Sequence, residues 1–354
     1  MFITEEKRNA LPEALHRAAA IPLHEGMYAE AAQRGFDLTG YLESLDPSPQ
    51  ESELDAFERQ LALAGVRVSG EDADIIDRFF ASQESAVLFP EFVSRSVQTG
   101  FEDFNKLRAI LAARVKIEDN TYKSIYMDDS VYSDGEKSLA VVGEGAFLPE
   151  IELKTAEHAV RIKKYGRYLQ ATYEAIRRKR TNVIAVFLRC IGVQIQRDKF
   201  IDAVDVLLNG DGNGNAAEIV TTASSGELTY SDLVTFALSF APYRMNAMIC
   251  NKSTAATLLN IQEISEPAVS GGFQTQGENV RLFGADLIVD ESAPSDQIIG
   301  VDRRFAIQEV YETGVLTESE RLIRRQIEGT AISEIAGFAK IVSDACKALD
   351  IGAA

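Results

Sequence analysis

The chain has 354 residues, 46% hydrophobic and 25% charged side chains, and a formal net charge of −18. That length suits two or three domains or one elaborated one. The acidic balance argues against a free-standing nucleic-acid binder, whose domain is normally basic. No stretch approaches the apolar length of a membrane span, and the N-terminus lacks a signal-peptide core. The reading is a soluble, cytosolically made protein. Cys190, Cys250 and Cys346 lie far apart in apolar settings, with neither zinc-like nor redox spacing. They read as small buried hydrophobes in a reducing compartment.

Charge is uneven along the chain. Residues 1–88 hold 7 basic and 17 acidic side chains, a net −10. Residues 154–199 hold 12 basic and 3 acidic, a net +9. A basic block in an acidic chain suggests a face with its own partner.

Residues 11–34 are Ala-rich and helix-prone, broken by Pro22 and Gly26. Asp46-Pro47-Ser48-Pro49 punctuates. Residues 51–64 read as a helix, with Leu54, Phe57, Leu61 and Ala64 on one face. Residues 69–80 read as another, capped by Ser69. The bland reading of 1–88 is a small helical domain; the sharper one is an extension that controls assembly.

After a polar joint at 82–85, alternation of apolar and polar residues predicts strands at 150–155, 159–163 and 165–171. This β arm has few large apolar residues to bury, so it needs another chain to cover it. Residues 181–208 then read as one long helix. Val183, Val186, Cys190, Val193, Phe200, Val204 and Leu207 form one stripe at steps of three and four. Ile184, Phe187, Ile191 and Ile195 form a second beside it. The expected core of this spine is Val183, Phe187, Cys190, Ile191, Phe200, Val204 and Leu207. Asn209, Gly210, Asp211 and Gly212 are the expected helix stop, because they tolerate positive φ.

An α/β region follows. Helices are predicted at 229–241 and 251–261, and strands at 245–250, 280–283, 287–289, 297–299, 305–310 and 322–327. Residues 335–346 fit either a strand or a helix.

No phosphate-binding loop, nucleophile elbow or zinc-helix motif occurs. His16, His24 and His158 surround no plausible pocket. Residues 211–222 begin like a calcium loop, but Ala216 and Thr222 stand where Gly and Glu are required. No cofactor, metal or catalytic residue is expected. Arg177-Arg178-Lys179-Arg180 keeps two readings: a solvated or acid-paired stretch, or a face for phosphates.

Several stretches, in order, resemble the major capsid proteins of tailed bacteriophages, the Hong Kong ninety-seven type of shell fold. They are Phe89-Pro90-Glu91-Phe92-Val93, Ile125-Tyr126-Met127, residues 143–149, Lys164-Tyr165-Gly166-Arg167, residues 171–176, Leu207-Leu208-Asn209-Gly210-Asp211-Gly212 and Leu282-Phe283-Gly284-Ala285-Asp286. The resemblance covers residues 88–354 and implies an α+β fold. Its parts would be an acidic helical extension at 1–88, an N-terminal arm at 89–130 and an extended β-hairpin loop at 131–170. A peripheral domain would hold 171–214 and 305–330, and an axial domain 215–304 and 331–354.

The resemblance further implies a non-enzymatic shell protein. Its partners would be copies of itself in pentamers and hexamers, packaged double-stranded DNA, and portal, scaffold or decoration proteins. It would act in the virion and assemble in the host cytoplasm. Arg161, Lys163, Lys164, Arg167, Arg177, Arg178, Lys179 and Arg180 are the candidates to face DNA or a neighbouring subunit. Some relatives weld loop to neighbour by a Lys–Asn isopeptide bond. Lys137 and Lys154 could lie on the loop here, but no Asn follows Asn279, so a non-covalent shell is expected. The alternative is a prokaryotic nanocompartment shell, encapsulin-like, around enzyme cargo. The extension is expected to assist assembly from outside the core, so that deleting 1–85 leaves a foldable subunit.

Overall fold

The computed structural model describes residues 21–24, 26–49, 54–118, 121–127, 144–145, 153–172, 178–265, 280–322 and 327–352. Residues 1–20, Lys137, Arg177 and most of the expected extended loop lie outside them. The fold is mixed α+β. Its helices are α1 (Met27–Gln33), α2 (Leu38–Leu45), α3 (Ala56–Leu63), α4 (Gln83–Asp103), α5 (Thr181–Asn209), α6 (Tyr230–Leu238), α7 (Lys252–Leu259) and α8 (Gln262–Ser265). Its strands are β1 (Ala113–Lys116), β2 (Ile125–Met127), β3 (Leu153–Thr155), β4 (Ile162–Thr172), β5 (Glu218–Thr221), β6 (Ala247–Cys250), β7 (Arg281–Leu282), β8 (Ala285–Val289), β9 (Gln297–Val301), β10 (Ile307–Leu322), β11 (Ile327–Lys340) and β12 (Cys346–Asp350). They form sheets in the orders β1-β10-β11-β4, β5-β12-β9-β6-β8-β7 and β2-β3.

The chain divides into two compact units. One comprises Met1–Phe104, Tyr165–Gln196 and Gly314–Glu334. The other comprises Asn105–Lys164, Arg197–Thr313 and Ile335–Ala354.

In the first unit, local sequence signals start the helices. Asp55 and Glu58 form a reciprocal capping box at α3, and Ser82 and Ser85 form one at α4. Helix α4 runs through Pro90, so the arm boundary expected at residue 88 falls inside a helix. Burial explains why. Leu88, Phe89, Phe92, Val93 and Val97 all enter the core, and that packing outweighs the local penalty of the proline. Phe79 packs on Phe89 and Phe92, with ring centroids 5.5 and 5.4 Å away.

This core overturns the expectation of a separate extension. Met27, Leu42, Phe57, Leu61 and Phe79 share one cluster with Ala185, Leu188 and Ile195 of α5. The helix expected over 69–80 is a loop followed by a 3-10 turn, Ile76–Ala81. Its backbone is drawn instead to the entry of α5. The Ile76 amide donates to the Lys179 carbonyl at 2.9 Å, and the Thr181 amide donates to the Asp74 carbonyl at 2.9 Å.

Helices α4 and α5 cross at two glycines. A Cβ at Gly100 would lie 2.1 Å from the Arg189 carbonyl oxygen, and one at Gly192 would lie 2.1 Å from that of Val97. Only glycine permits this approach. Arg189 forks onto Asp103 beside the crossing.

The second unit holds the six-stranded sheet. Its core includes Leu233, Phe236, Phe240, Met248, Leu258 and Ile298. Thr229 and Asp232 box the start of α6, and Asn251 caps α7. The ambiguous stretch at 335–346 resolves into the end of β11, a 3-10 turn and the start of β12.

Candidate assembly surfaces

The helix stop is built into the second unit. Gly210, Gly212 and Gly214 have φ of +83°, +96° and +72°. Asp211 turns back to accept from the Lys340 amide at 3.1 Å and from the side chain of Asn213 at 2.9 Å. The Lys340 ammonium donates to the Asn215 carbonyl at 2.7 Å. Burial lowers its pKa. The loop that begins like a calcium site therefore uses its carboxylate to hold β11. Among the described residues no acidic, His or Cys cluster fits a metal ion.

The spine departs from its expected core. Phe200, Val204 and Leu207 are buried, and Ile191 is half-buried. Val183, Phe187 and Cys190, expected inside, are exposed; Phe187 is 62% accessible and its neighbour Val186 58%. The error has a physical cause. Two stripes fit the same helical period, but the helices of residues 27–103 pack on a third face, Ala185, Leu188, Gly192 and Ile195, of which the stripes contain only Ile195. The small residues Ala185 and Gly192 mark that face, but an apolar count does not weigh them.

The basic candidates also separate. Arg161, Lys164, Arg167, Arg178, Lys179 and Arg180 are exposed. Lys163 is committed to Asp202 at 2.6 Å, so it is removed from the free set. The Arg180 guanidinium donates to the Glu71 carbonyl while its side chain stays at the surface.

Pattern reading missed a carboxylate hub at Asp302, which is fully buried. Burial would raise its pKa. The Arg304 guanidinium, the amides of Arg244 and Arg304 and the Asn246 side chain outweigh that effect and lower it to about 2. Cys250 and Cys346 are buried, which pushes their thiols up to about 12 and about 11.

Also missed were exposed apolar side chains at the sheet margins, Leu238, Phe283 and Ile219. Nothing in a single sequence separates such residues from core. No helix among the described residues is long and apolar enough to cross a membrane.

No curated protein matches the sequence. Among solved structures, the capsid of a native GTA particle aligns at a TM-score of 0.52 and 15% identity, over 72% of this chain and 91% of that one. The capsid of an empty GTA particle aligns at 0.50 and 16%, over 71% and 90%. A Mycobacterium phage Che8 chain aligns at 0.49 and 13%, over 71% and 92%. Residues 155–345, more than half of the chain, match the phage capsid protein family profile. With the family's fold present and its matched segment running from β3 to the 3-10 turn before β12, the chain belongs to the phage capsid protein family and is a major capsid shell protein.

Proposed function

We propose that this chain closes into an icosahedral shell through pentamers and hexamers and encloses the double-stranded DNA of a tailed phage. The role is structural, with no catalysis, and the shell is held without covalent welds. The observation that carries the reading is the outer face of α5. A family member with a full internal core still presents Val183, Val186 and Phe187 to solvent. Exposed apolar surface of that kind marks association. We assign the peripheral role to the spine helix with residues 305–330, and the axial role to residues 215–304 and 331–354.

The exposed cations Arg161, Lys164, Arg167, Arg178, Lys179 and Arg180 are suited to phosphates without sequence preference. The test is expression of the full chain, followed by sedimentation, electron microscopy and nuclease-protection assays. Closed particles that migrate as monomers on denaturing gels support the reading. A ladder of covalent bands overturns the non-covalent part. A species that stays monomeric at every concentration overturns the whole.

A further inference from the structure

Two opposite margins of the six-stranded sheet carry complementary surfaces. At one edge, the β7–β8 turn and the end of α6 form a groove. It is floored by exposed apolar side chains: Leu238 is 73% accessible and Phe283 36%. Phe283 stacks near Tyr230, with centroids 5.5 Å apart. Arg244, Arg303 and Arg304 rim the groove. Arg281 and Arg303 share Asp286, and Arg304 pairs with Asp302. Four arginines thus stand against two aspartates in a chain whose net charge is −18.

At the other edge runs β5, which pairs with β12 on one side only among the described residues. It exposes Ile219, 59% accessible, beside Glu218. The chain then turns through Glu227, whose side chain is exposed. Asp350, opposite the end of β5, and the exposed Asp296 complete an acidic corner. Lys347 is the one cation paired there among the described contacts, with Glu218 at 2.7 Å.

An apolar-basic groove at one edge and an apolar-acidic strand at the other cannot meet within one sheet. They can meet between copies. We propose that the β5 edge of one copy docks into the α6/β7–β8 groove of the next, head to tail. Ile219 would enter the apolar floor formed by Leu238 and Phe283, and the acidic corner would face the arginine rim. Such a heterologous contact, repeated with a rotation that closes, generates a ring. A bare strand edge is also the kind of surface that another chain covers. This inference rests on the shell reading above and names the surfaces that make its rings.

The test uses the full-length chain with Leu238→Asp and, separately, Ile219→Asp. Both side chains are exposed, so each variant should keep the wild-type melting temperature. Each should lose assembled material at least tenfold by sedimentation. Mixing the two is the decisive arm. A head-to-tail contact leaves one intact interface, a normal β5 edge on one variant against a normal groove on the other. The mixture should therefore form heterodimers and no rings. If Leu238→Asp does not fold, Arg244→Glu at the same rim carries the same mixing test. Wild-type-like shells from either variant, or a mixture that stays monomeric, overturn the proposal while the shell reading stands. Failure of the wild-type chain itself to assemble overturns that reading instead.

Discussion

The Lys199 ammonium stands 2.5 Å from a carboxylate oxygen of Glu309, and their side chains are only 1% and 3% accessible. The second oxygen of Glu309 accepts Arg114 at 3.0 Å, and Arg114 also lies over the Tyr311 ring. A lysine on the spine helix is thus neutralised in the interior by β10. Removing Lys199 leaves the buried Glu309 carboxylate to the half-exposed Arg114 alone, a loss of up to about 3–5 kcal/mol, whereas replacing both partners can be neutral. Lys199→Met alone should therefore lower the urea midpoint sharply. Lys199→Met with Glu309→Leu should recover most of it. Additive losses in the double variant would contradict this account.

The α4–α5 crossing makes a second expectation. Gly192→Val should be among the most damaging small substitutions, because its Cβ alone would overlap the Val97 carbonyl. Overpacking of this kind costs at least about 1–3 kcal/mol. Gly212→Val tests the alternative that any glycine would do. No atom lies within 4 Å of a Cβ there, although φ is +96°. The Gly212 change should cost less, and an equal loss of melting temperature would refute the close-approach argument.

Deleting residues 1–85 should give insoluble protein, which reverses the expectation drawn from composition. The deletion would uncover Leu188, Ile195, Phe92 and Val93, and would strip the hydrogen bonds that hold the entry of α5. A soluble, cooperatively melting product would show that the extension is dispensable for folding.

Phe200 and Phe187 should behave oppositely. Phe200 is fully buried, so Phe200→Ala should cost about 3–5 kcal/mol of subunit stability. Phe187→Ala should change subunit melting little, within about 0.5 kcal/mol, yet reduce particle yield. Cys190 gives an independent readout, because it is exposed while Cys250 and Cys346 are buried. One thiol per dissociated subunit should react quickly with maleimide, and assembly should slow that reaction. Unchanged labelling in closed particles would show that this face stays open.

Asp302 makes stability depend on acid. Its folded pKa of about 2 lies below the ordinary 3.8. The contribution is therefore complete above about pH 4 to 5 and is lost as pH falls toward 2. It amounts to roughly 1–2 kcal/mol once solvent screening is allowed for. Asp302→Asn should flatten the melting curve against pH over that window and lower stability at pH 7. An unchanged acid slope would remove Asp302 as its source.

The sequence alone located the spine helix to within a residue at its C-terminal end, because caps and glycines act locally. Asn209 to Gly214 are legible for that reason, and the cap of α6 is narrowed to Thr229 or Ser231 and that of α7 to Asn251 or Ser253, of which the structure uses Thr229 and Asn251. The order of family-like segments also pointed to the capsid fold, and the phage capsid family match agrees with it. What the residues could not reveal was which face of the spine is covered along each half of its length: one stripe is exposed at Val183, Val186 and Cys190 and buried at Phe200, Val204 and Leu207. Burial is decided by partners distant in the chain. Leu188 rather than Phe187 is covered because α4 approaches at Gly100 and Gly192. The same holds for residues 21–85. Their charge suggested a detached extension, but net charge does not report the apolar residues on the same helices. The apolar side of those helices completes a core with α5, and only the tertiary structure brings the two together.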